Sequence, residues 1–554
     1  MRGRPGAALM VCGTASDVGK SQLVTGLCRA FARRGLRVAP FKGQNMALNS
    51  VVTAEGCEIG RAQGTQALAA GVEAEAAMNP VLLKPTSDRR SQVVVLGRPW
   101  RDLDAVAFHG AKAELEPVVR GALADLRRRF DIVLCEGAGS PAEINLFDHD
   151  LVNLGLAAAA RVPAVVVGDI DRGGVFAHLY GTVALLPEDR RALVRGFVLN
   201  KFRGDASLLG GATESLRRRC GVPTLGVVPY LRDLWIDAED SLALDGNRWA
   251  AGANVLPAAV EVGDGVGGGV VGVALGGAGE GALGGALDVA VVRFPHIANF
   301  TDLDPLAAEP GVTVRLVSSP GALGRPDLVV LPGSKATVAD LEWLRRTGLA
   351  EAVVDRGRTG SVVVGICAGF QMLGRVIEDP AGVEATVACA DGLGLLGVRT
   401  TFAARKRTAR RTGTRLAGGE PVEGYEVHHG RPEADEGAVP WLSLDPAGGG
   451  ARPSAPARRE VPDCGRGGRC DGGGPEGVVD TVTGVYGTSL HGLFESDPFR
   501  RAFLAEVADR RGRRLAPSEV SFAAVRQAQV DRLADACEEH LDLDALLAIA
   551  AEAG

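Results

Sequence analysis

The chain has 554 residues, of which 46% are hydrophobic and 23% are charged, and its net charge at pH 7 is −6. This length exceeds one ordinary domain, and the composition is that of a globular protein. The negative charge argues against a broad nucleic-acid-binding surface, and no apolar run is long enough to span a membrane. Ten cysteines without a CxxC pair indicate a reducing compartment, so we expect a soluble cytoplasmic protein.

In the first half of the chain, short apolar runs alternate with helical patterns. Continuous runs of Val, Ile and Leu between helices are typical of a parallel sheet with both faces covered. We therefore expect an α/β domain with a parallel sheet and helices on both faces. Its predicted strands are Ala7–Gly13, Leu36–Phe41, Gln92–Leu96, Asp131–Glu136, Ala164–Asp169, Gly196–Asn200 and Thr224–Val228.

The first strand leads into a glycine-containing loop that ends in Gly-Lys-Ser at the start of a predicted helix. Backbone N–H groups of such a loop can cradle phosphate, while Lys20 reaches the outer phosphates and the Ser21 hydroxyl reaches Mg²⁺. Gly13 stands one position earlier than the first glycine of the usual GxxxxGK[ST] pattern, and Thr14 occupies that position. The predicted ATP-binding residues of the loop are Gly13, Thr14, Gly19, Lys20 and Ser21.

The spacing of this loop resembles that of dethiobiotin synthetase and its relatives, whose loop reads GTxxxxGK[ST]. Those enzymes activate a carboxylate with ATP, so the resemblance implies similar chemistry here and a P-loop NTPase-type fold. Glu136 supports it, because this acid ends a predicted strand before a glycine turn and suits Mg²⁺. Asn200 ends another strand and is a candidate for adenine recognition. We expect Mg²⁺ only as part of the ATP complex, and no bound prosthetic group.

The alternation stops after residue 245 and resumes near residue 288. Residues 263–285 are almost entirely Gly, Ala and Val, which predicts a flexible insertion. A second α/β domain then begins, with predicted strands at Asp288–Arg293, Thr313–Val317, Leu328–Leu331 and Val362–Ile366. The predicted domains are residues 1–245 for ATP binding, a Gly-rich linker at 246–287, and a second domain at 288–554.

Three further segments of the second half have no strand pattern. Arg405–Glu420 and Pro446–Glu476 are predicted to be long loops, because they are rich in charged residues and glycine. Glu519–Ala551 is predicted to be helical, and its mixed polarity favours a packing role over a functional one.

Cys367 follows the predicted strand Val362–Ile366 directly, and small residues and a helix come after it. A nucleophile on a tight strand-to-helix turn needs small neighbours, since nearby backbone N–H groups must face a developing oxyanion. The helix N-terminus also favours a thiolate. His491 ends another short apolar strand far downstream, so these residues form a candidate Cys–His pair.

A third strand ends in a Pro-Gly turn at Gly333, and the three features together resemble the class I (triad) glutamine amidotransferase domain, which has a flavodoxin-like fold. The resemblance implies that Cys367 attacks the carboxamide of glutamine and that His491 moves the proton. It also implies that backbone N–H groups of Gly333 and Ala368 form the oxyanion hole, and that Gln371 helps to hold glutamine.

One position departs from the amidotransferase pattern. The usual triad has a Glu two residues after the His, and here that position is Leu493. Either a Cys–His dyad or a substitute acid must therefore serve. His428 and His429 are alternative bases, but a structural role is favoured for both.

The two halves together describe ATP-dependent amide synthesis with glutamine as the nitrogen donor. Several stretches across nearly the whole chain are similar to the cobyric acid synthase family, which also lacks the triad Glu. They are Phe41–Met46, Glu136–Asn145, Asp169–Phe176, Asn200–Asp205 and Gly424–His428. The resemblance implies amidation of the b, d, e and g carboxylates of adenosylcobyrinic acid a,c-diamide to give adenosylcobyric acid. The implied partners are ATP, glutamine and a corrinoid.

Five acidic or amide side chains are candidates for the substrate or metal side of the first domain. Asp17 lies in the phosphate loop and either positions the substrate carboxylate or metal or only stabilises the turn. Glu143, Asn145, Asp169 and Asp171 fall near strand ends, where α/β proteins bind ligands. We predict that they face Mg²⁺ or the corrinoid, with loop ordering as the alternative.

Two other functions are compatible with parts of the sequence. One is a related ligase that amidates another carboxylate, such as a cell-wall lipid intermediate, although that system usually divides the two activities between chains. The other is a partitioning-type ATPase switch, whose loop carries a lysine just after the first glycine, where this chain has Thr14 and Ala15. We expect no nucleic-acid or membrane partner, and homo-oligomerisation stays open.

Overall fold

The computed structural model describes residues 5–87, 89–147, 150–239, 244, 287–384, 387–446 and 472–553. These residues form two compact units. The described residues up to 244 and residues 523–553 belong to the first unit, and residues 287–522 form the second. The predicted flexible insertion at 263–285 and nearly all of the linker at 246–287 lie outside the described residues.

Unit 1 contains twelve described strands and nine described helices of the α type. The strands are β1 (Ala7–Gly13), β2 (Val38–Phe41), β3 (Gln44–Met46), β4 (Ser50–Val52), β5 (Glu58–Gly60), β6 (Val81–Ser87), β7 (Arg90–Val95), β8 (Arg98–Asp104), β9 (Ile132–Glu136), β10 (Ala164–Asp169), β11 (Val194–Phe202) and β12 (Thr224–Pro229). The helices are α1 (Lys20–Arg33), α2 (Arg61–Ala70), α3 (Ala105–Arg129), α4 (Leu154–Ala160), α5 (Val175–Leu185), α6 (Glu188–Arg191), α7 (Ala212–Cys220), α14 (Phe522–His540) and α15 (Leu543–Ala550).

The central sheet of unit 1 has six parallel strands in the order β12-β11-β10-β1-β9-β2. Side chains of a strand alternate between the two faces of a sheet. In β1, Met10 belongs to one apolar core cluster, whereas Leu9 and Val11 belong to a second cluster. Both faces are therefore covered, and the predicted α/β architecture is confirmed.

The predicted strand Gln92–Leu96 was wrongly assigned to this parallel sheet. Most of it lies in β7, which pairs antiparallel with β6 and β8 in a separate sheet of order β3-β6-β7-β8. Leu96 and Gly97 turn the chain from β7 to β8 with φ angles of 46° and 76°. A run of Val residues is compatible with a strand of a hairpin and with a strand of a parallel sheet. The residues of the connecting turn indicate which of the two is formed.

The C-terminal helices α14 and α15 belong to unit 1, whereas the sequence-based division placed them with the second domain. Their apolar residues share a core cluster with β1 and α1. The shared cluster includes Leu9, Leu27, Val530, Ala534, Leu541 and Leu546. Both ends of the chain therefore build the unit that carries the Gly-Lys-Ser loop.

Unit 2 contains the remaining elements. Its strands are β13 (Leu287–Val292), β14 (Ile297–Ala298), β15 (Val312–Val317), β16 (Leu328–Leu331), β17 (Gly333–Ser334), β18 (Val362–Ile366), β19 (Val376–Glu378), β20 (Cys389–Asp391), β21 (Val398–Arg415), β22 (Pro421–Ala434), β23 (Leu442–Leu444), β24 (Gly474–Glu476), β25 (Val478–Asp480) and β26 (Val485–Thr488). Its helices are α8 (Asp304–Ala307), α9 (Pro320–Leu323), α10 (Thr337–Arg346), α11 (Leu349–Arg358), α12 (Ala368–Leu373) and α13 (Asp497–Arg510).

The main sheet of unit 2 has the strand order β15-β13-β16-β18-β26-β25. The first five strands are parallel, and β25 is antiparallel at one edge. In chain order, the parallel strands follow the 2-1-3-4-5 arrangement of flavodoxin-like folds. Ligands in such folds bind beyond the carboxyl ends of the strands, where β18 and β26 both end.

A second sheet contains β20, β19, β21, β23 and β24, and β22 pairs with β21 along its length. The prediction of a loop at Arg405–Glu420 was wrong, because β21 continues to Arg415. The buried Arg411 of β21 pairs with Glu426 of β22 at 2.6 Å. Glu426 lies outside the segment predicted to be a loop, so the charged residues of that segment gave no sign of their buried partner. Of the loop predicted at 446–476, residues 447–471 lie outside the described residues, and the last three form β24.

Candidate active sites

Cys367 occupies the turn between β18 and α12, with a φ of 53° and a ψ of −105°. This backbone conformation is sparsely populated and persists only where the surroundings enforce it. A Cβ atom at Gly369 would collide with the carbonyl oxygen of Leu331, and one at Gly365 would lie 2.6 Å from the nitrogen of Phe370. The two glycines therefore let the turn close tightly under the Cys367 sulfur.

His491 lies beside Cys367, three residues beyond β26, and its ring is buried. Its Nδ1 atom is 2.7 Å from Oδ2 of Asp302, and the N–H of Gly492 donates to the other Asp302 oxygen at 2.8 Å. Burial lowers the pKa of His491, but the charges of Asp302 and Cys367 and hydrogen bonds to both outweigh it and raise the pKa to about 10. A cationic ring beside the sulfur is the pairing that a thiol nucleophile needs.

Asp302 is a residue of the unit 2 site that the sequence analysis missed. It lies in the 3-10 turn Phe300–Leu303, 189 residues from His491 in the chain. Leu493, at the usual position of the triad acid, is a buried apolar residue. Of the two alternatives left open by the sequence, the geometry matches a substitute acid, because Asp302 makes the contact expected of a third triad member. In the sequence, Asp302 could be noticed only as an acid in a turn shortly after the first strand of the unit.

Tyr425 also contacts His491. The two rings are stacked, with centroids 5.4 Å apart and an interplanar angle of 23°. The backbone N–H of each residue donates to the carbonyl oxygen of the other at 2.9 Å. Asp302 thus fixes one ring nitrogen of His491, and Tyr425 fixes the plane of the ring.

The predicted oxyanion residues lie at the same strand ends. Gly333 lies in β17, and a Cβ atom there would be 3.0 Å from Cε1 of His491 and 2.8 Å from the carbonyl oxygen of Ala298. Glycine therefore permits a close approach of this backbone to the site. Ala368 is the first residue of α12, so its N–H has no partner within the helix.

Gln371 lies in α12, and its side chain is buried. Its Oε1 atom has no hydrogen-bond partner among the described residues. A Cβ atom at Gly430 would lie only 2.6 Å from its Nε2 atom, so the glycine of β22 leaves room for this amide. A buried amide oxygen without a partner is costly unless a ligand satisfies it, which fits the predicted contact with glutamine.

Two other groups of unit 2 support the strands around the site. Glu476 accepts hydrogen bonds from Oγ1 of Thr488 at 2.6 Å and from the N–H of Ser489 at 2.7 Å, and burial raises its pKa to about 7. His428 and His429 lie in β22 with their Nδ1 atoms against backbone carbonyl oxygens at 2.6 and 3.0 Å. Burial lowers the pKa of His428. These contacts fit the structural role favoured for both histidines.

The Gly-Lys-Ser loop of unit 1 connects β1 to α1. Gly19 has a φ of 94°, a conformation that favours glycine. Lys20 folds back across the loop, and its Nζ atom donates to the carbonyl oxygens of Ala15 at 2.8 Å and Gly139 at 3.2 Å. A Cβ atom at Gly13 would lie 2.9 Å from this Nζ atom, so the shifted first glycine makes space for the lysine. The N–H of Thr14 donates to Val167 and fixes the start of the loop.

Glu136 ends β9 and is almost completely buried. Its Oε1 atom accepts from Ser21 Oγ at 2.8 Å and from Lys42 Nζ at 2.9 Å, and its Oε2 atom accepts from Gln66 Nε2 at 2.6 Å. Burial raises the pKa of Glu136, but the Lys42 charge outweighs it, and the pKa is lowered. The Oε1 atom of Gln66 has no partner among the described residues.

The donor set of Ser21 and Glu136 suits Mg²⁺, because a hydroxyl and a carboxylate are hard oxygen ligands. In the described part of the chain, no group of three or more His, Cys, Asp or Glu residues could hold a metal ion. Ser21 and Glu136 are the residues that would hold the ion, and nucleotide phosphates would supply further oxygens.

Lys42 and Glu239 complete the buried network and were missed by the sequence analysis. The Nζ atom of Lys42 lies 2.6 Å from Glu239 and is shared with Glu136. Burial lowers the pKa of Lys42, but the two carboxylates outweigh it, and the pKa is raised. Lys42 follows β2 and lies in the Phe41–Met46 stretch. In the sequence, that stretch supported the family resemblance, but it indicated no role for Lys42.

Asn200 and the acidic candidates around the loop have defined partners. Asn200 Nδ2 donates to the carbonyl oxygen of Val18 at 2.8 Å, so this side chain contacts the loop itself. Lys201 Nζ donates to the carbonyl oxygen of Asp17 and to Oδ2 of Asp169, the latter at 2.9 Å. Asp17 has a φ of 58° and an exposed side chain. This network links Asp169 to the loop, and the predicted roles of these residues stay predictions.

The remaining candidates lie farther out. Asp171 pairs with Arg203. Glu143 and Asn145 are exposed, at and beside the one-turn helix Ile144–Leu146. Their predicted roles toward Mg²⁺ or the corrinoid stay predictions.

Two family models match the chain in the order of its units. Residues 9–242 match the CobQ/CobB/MinD/ParA nucleotide binding domain, and residues 288–499 match the CobB/CobQ-like glutamine amidotransferase domain. The protein named cobyric acid synthase from Nocardia farcinica (strain IFM 10152) is 50% identical over 546 residues, covering 97% of this chain and 96% of its own length. The protein of that name from Rhodococcus jostii (strain RHA1) is 49% identical over 541 residues, covering 97% and 94%. Among the described helices, none is long and apolar enough to cross a membrane.

Proposed function

The chain belongs to the cobyric acid synthase family, and we propose that it is a glutamine-hydrolysing, ATP-dependent amide ligase of cobalamin biosynthesis. Its substrate would be adenosylcobyrinic acid a,c-diamide, amidated at the b, d, e and g carboxylates to give adenosylcobyric acid. The observation that carries the proposal is the pairing, in one chain, of the buried Cys367–His491–Asp302 group with the Ser21–Glu136 phosphate loop. We further propose a cytoplasmic enzyme that acts on small molecules, without nucleic-acid or membrane partners.

In the glutaminase half, the Cys367 sulfur attacks the carboxamide carbon of glutamine. The N–H groups of Gly333 and Ala368 then face the oxyanion, and His491 gives its proton to the departing ammonia. Asp302 holds the ring so that the protonated nitrogen faces the sulfur and the leaving group. Water, deprotonated by His491, hydrolyses the thioester and releases glutamate.

In the synthetase half, a carboxylate oxygen of the corrinoid attacks the γ-phosphorus of ATP, and ADP leaves. Lys20 neutralises charge on the outer phosphates from its position across the loop. Bound Mg²⁺ would neutralise the remaining phosphate charge from the oxygens of Ser21 and Glu136. Ammonia then attacks the acyl phosphate, and the amide and inorganic phosphate are formed. Each amide therefore consumes one ATP and one glutamine.

The test is mass spectrometry of the corrinoid after incubation with the protein, ATP, Mg²⁺ and glutamine. We expect a series of products in which successive carboxyl groups become carboxamides, ending at the fourth. A Lys20→Ala variant should stop the series with either glutamine or ammonium as the nitrogen source. An unchanged corrinoid with the wild-type protein, together with ATP-dependent amidation of another acid, would contradict the substrate assignment.

A further inference from the structure

The short strands β14 and β17 form a two-stranded sheet of their own in unit 2. They pair antiparallel, with Ala298 opposite Gly333 and Ile297 opposite Ser334. At one end of this pair, Gly333 comes so close to the active site that a Cβ atom there would lie 3.0 Å from Cε1 of His491. An isolated pair of short strands is only marginally stable, so further contacts must hold β14 and β17 in place.

The carboxylate of Asp340 supplies such contacts at the other end of the pair. Asp340 lies in α10 and is buried. Its Oδ2 atom accepts from Ser334 Oγ at 2.5 Å and from the N–H of His296 at 3.2 Å, and its Oδ1 atom lies 2.8 Å from Nδ1 of His296. His296 directly precedes β14, and Ser334 belongs to β17. One carboxylate on a helix therefore holds both strands.

Backbone hydrogen bonds reinforce this cluster of Asp340, Ser334 and His296. The N–H of Ala336 donates to Ser334 Oγ at 3.0 Å, and the N–H of Lys335 donates to the carbonyl oxygen of His296 at 3.0 Å. The N–H of Asp340 donates to the carbonyl oxygen of Ala336 at 2.9 Å. Hydrogen bonds to an ionised acceptor are stronger than those between neutral groups, so the carboxylate is the main anchor of the cluster.

The position of Gly333 follows from that of Ser334, because the two residues are adjacent in β17. An oxyanion is stabilised only by donors that stand about 2.7–3.1 Å from the place where its charge develops. A small displacement of β17 would therefore remove the contribution of the Gly333 N–H. The same displacement would leave the sulfur of Cys367 in its turn, since that turn is built by β18 and α12.

We propose that Asp340 is a positioning residue for glutamine hydrolysis, and that it holds β17, through Ser334 and His296, where the Gly333 N–H meets the oxyanion. The inference rests on the proposed function, because it takes Cys367 as the nucleophile that attacks glutamine. Asp340 acts on the backbone of β17 and not on the substrate. Loosening its contacts should therefore slow the step that forms an oxyanion and spare the reactivity of the thiol.

The test compares two reactions of Cys367 in the full chain. The first is glutamate release from glutamine with ATP, Mg²⁺ and the corrinoid present, which passes through an oxyanion. The second is alkylation by iodoacetamide, followed by mass spectrometry of the peptide that contains Cys367. In this reaction the sulfur forms a bond to the CH₂ carbon and iodide leaves, so the rate depends on the thiolate and no oxyanion is formed.

Ser334→Ala should lower the kcat of glutamate release by at least about tenfold, because complete loss of an oxyanion donor typically costs about 10²–10³-fold. The KM for glutamine and the alkylation rate of Cys367 should stay at their wild-type values. Ser334→Thr keeps a hydroxyl for Asp340 and should restore most of the kcat. Asp340→Asn should behave like Ser334→Ala, whereas Glu342→Gln, at an exposed acid of the same helix, should behave like the wild-type protein.

Ser334 is only partly buried, so Ser334→Ala decides the question if Asp340→Asn does not fold. A wild-type kcat in Ser334→Ala would overturn the positioning role. An equal fall of kcat and of the Cys367 alkylation rate would also overturn it, because the nucleophile itself would then be impaired. A wild-type protein that releases no glutamate from glutamine would instead contradict the proposed function.

Discussion

The carboxylate of Asp302 contributes most to raising the pKa of His491. Asp302 is buried, so its charge acts on the imidazole through a low-dielectric medium and with little competition from water. The pKa of about 10 means that the ring keeps its proton as the pH rises through neutrality. We propose that Asp302 takes the place of the missing triad Glu, both in charge and in its contact with His491.

We expect Asp302→Asn to reduce glutaminase kcat/KM by about 10²–10⁴-fold, because the ring loses both its orientation and the charge that stabilises its cation. Without that charge, the His491 pKa falls from about 10, so the alkaline limb of the pH–rate profile should move to lower pH. Glu351→Gln, at an exposed acid of α11, is the matched control. A wild-type alkaline limb in Asp302→Asn would contradict this role.

Glu136 is the buried carboxylate of the candidate site in unit 1. Glu136→Gln removes the charge beside Ser21 and Lys42 while keeping the shape of the side chain. We expect amidation with ammonium to fall by at least about 10²-fold, since the carboxylate that would hold Mg²⁺ is lost, whereas glutaminase activity should persist. Glu188→Gln, at an exposed position of α6, serves as the control. Amidation at the wild-type rate in Glu136→Gln would contradict the assigned role.

At the scale of elements, β21 and β22 show how a charged segment becomes ordered. Glu426 of β22 is buried against Arg407 and Arg411 of β21. Burial raises the pKa of Glu426, but hydrogen bonds and charges of His428 and the two arginines lower it to about 2. Because the pKa of Glu426 in the folded protein lies below its ordinary value of 4.5, the ionised carboxylate stabilises the fold at pH values above 4.5. This contribution to stability is lost as the pH falls toward 2.

Glu426→Gln should therefore expose the amides of β21 and β22 to exchange at neutral pH. The variant leaves the buried guanidinium of Arg411 without its carboxylate, which costs about 3–5 kcal/mol of local stability. Hydrogen exchange followed by mass spectrometry measures this strand by strand. Glu433→Gln, at an exposed residue of β22, should exchange like the wild-type protein. Equal protection in both variants would show that the ion pair does not order the hairpin.

The site was predictable where its chemistry depends on neighbours in sequence. The apolar strand, the small residues after Cys367 and the Gly-Lys-Ser loop all act within a few positions, so their roles can be inferred from local pattern. Asp302 and Lys42 were missed because their partners are distant in sequence. The β7 hairpin and the charged strand β21 were misassigned for a related reason, since antiparallel pairing and cross-strand charge compensation are set by tertiary structure.

For the whole molecule, the two activities are carried by different units, and the chain returns to unit 1 after completing unit 2. Family models match both units in the same chain, and a relative 50% identical to it aligns with 97% of its length. This organisation predicts that the amide nitrogen enters through Cys367 when glutamine is the donor. It also predicts that the synthetase half remains competent when ammonia is supplied from solution.

The most direct test of this account is amidation of adenosylcobyrinic acid a,c-diamide by a full-length Cys367→Ala variant, with either glutamine or ammonium supplied together with ATP and Mg²⁺. We expect no amidation with glutamine and four amidations with ammonium, because the substitution removes only the nucleophile of unit 2. Amidation from glutamine at the wild-type rate would contradict the account. So would failure with ammonium in a variant that still binds ATP.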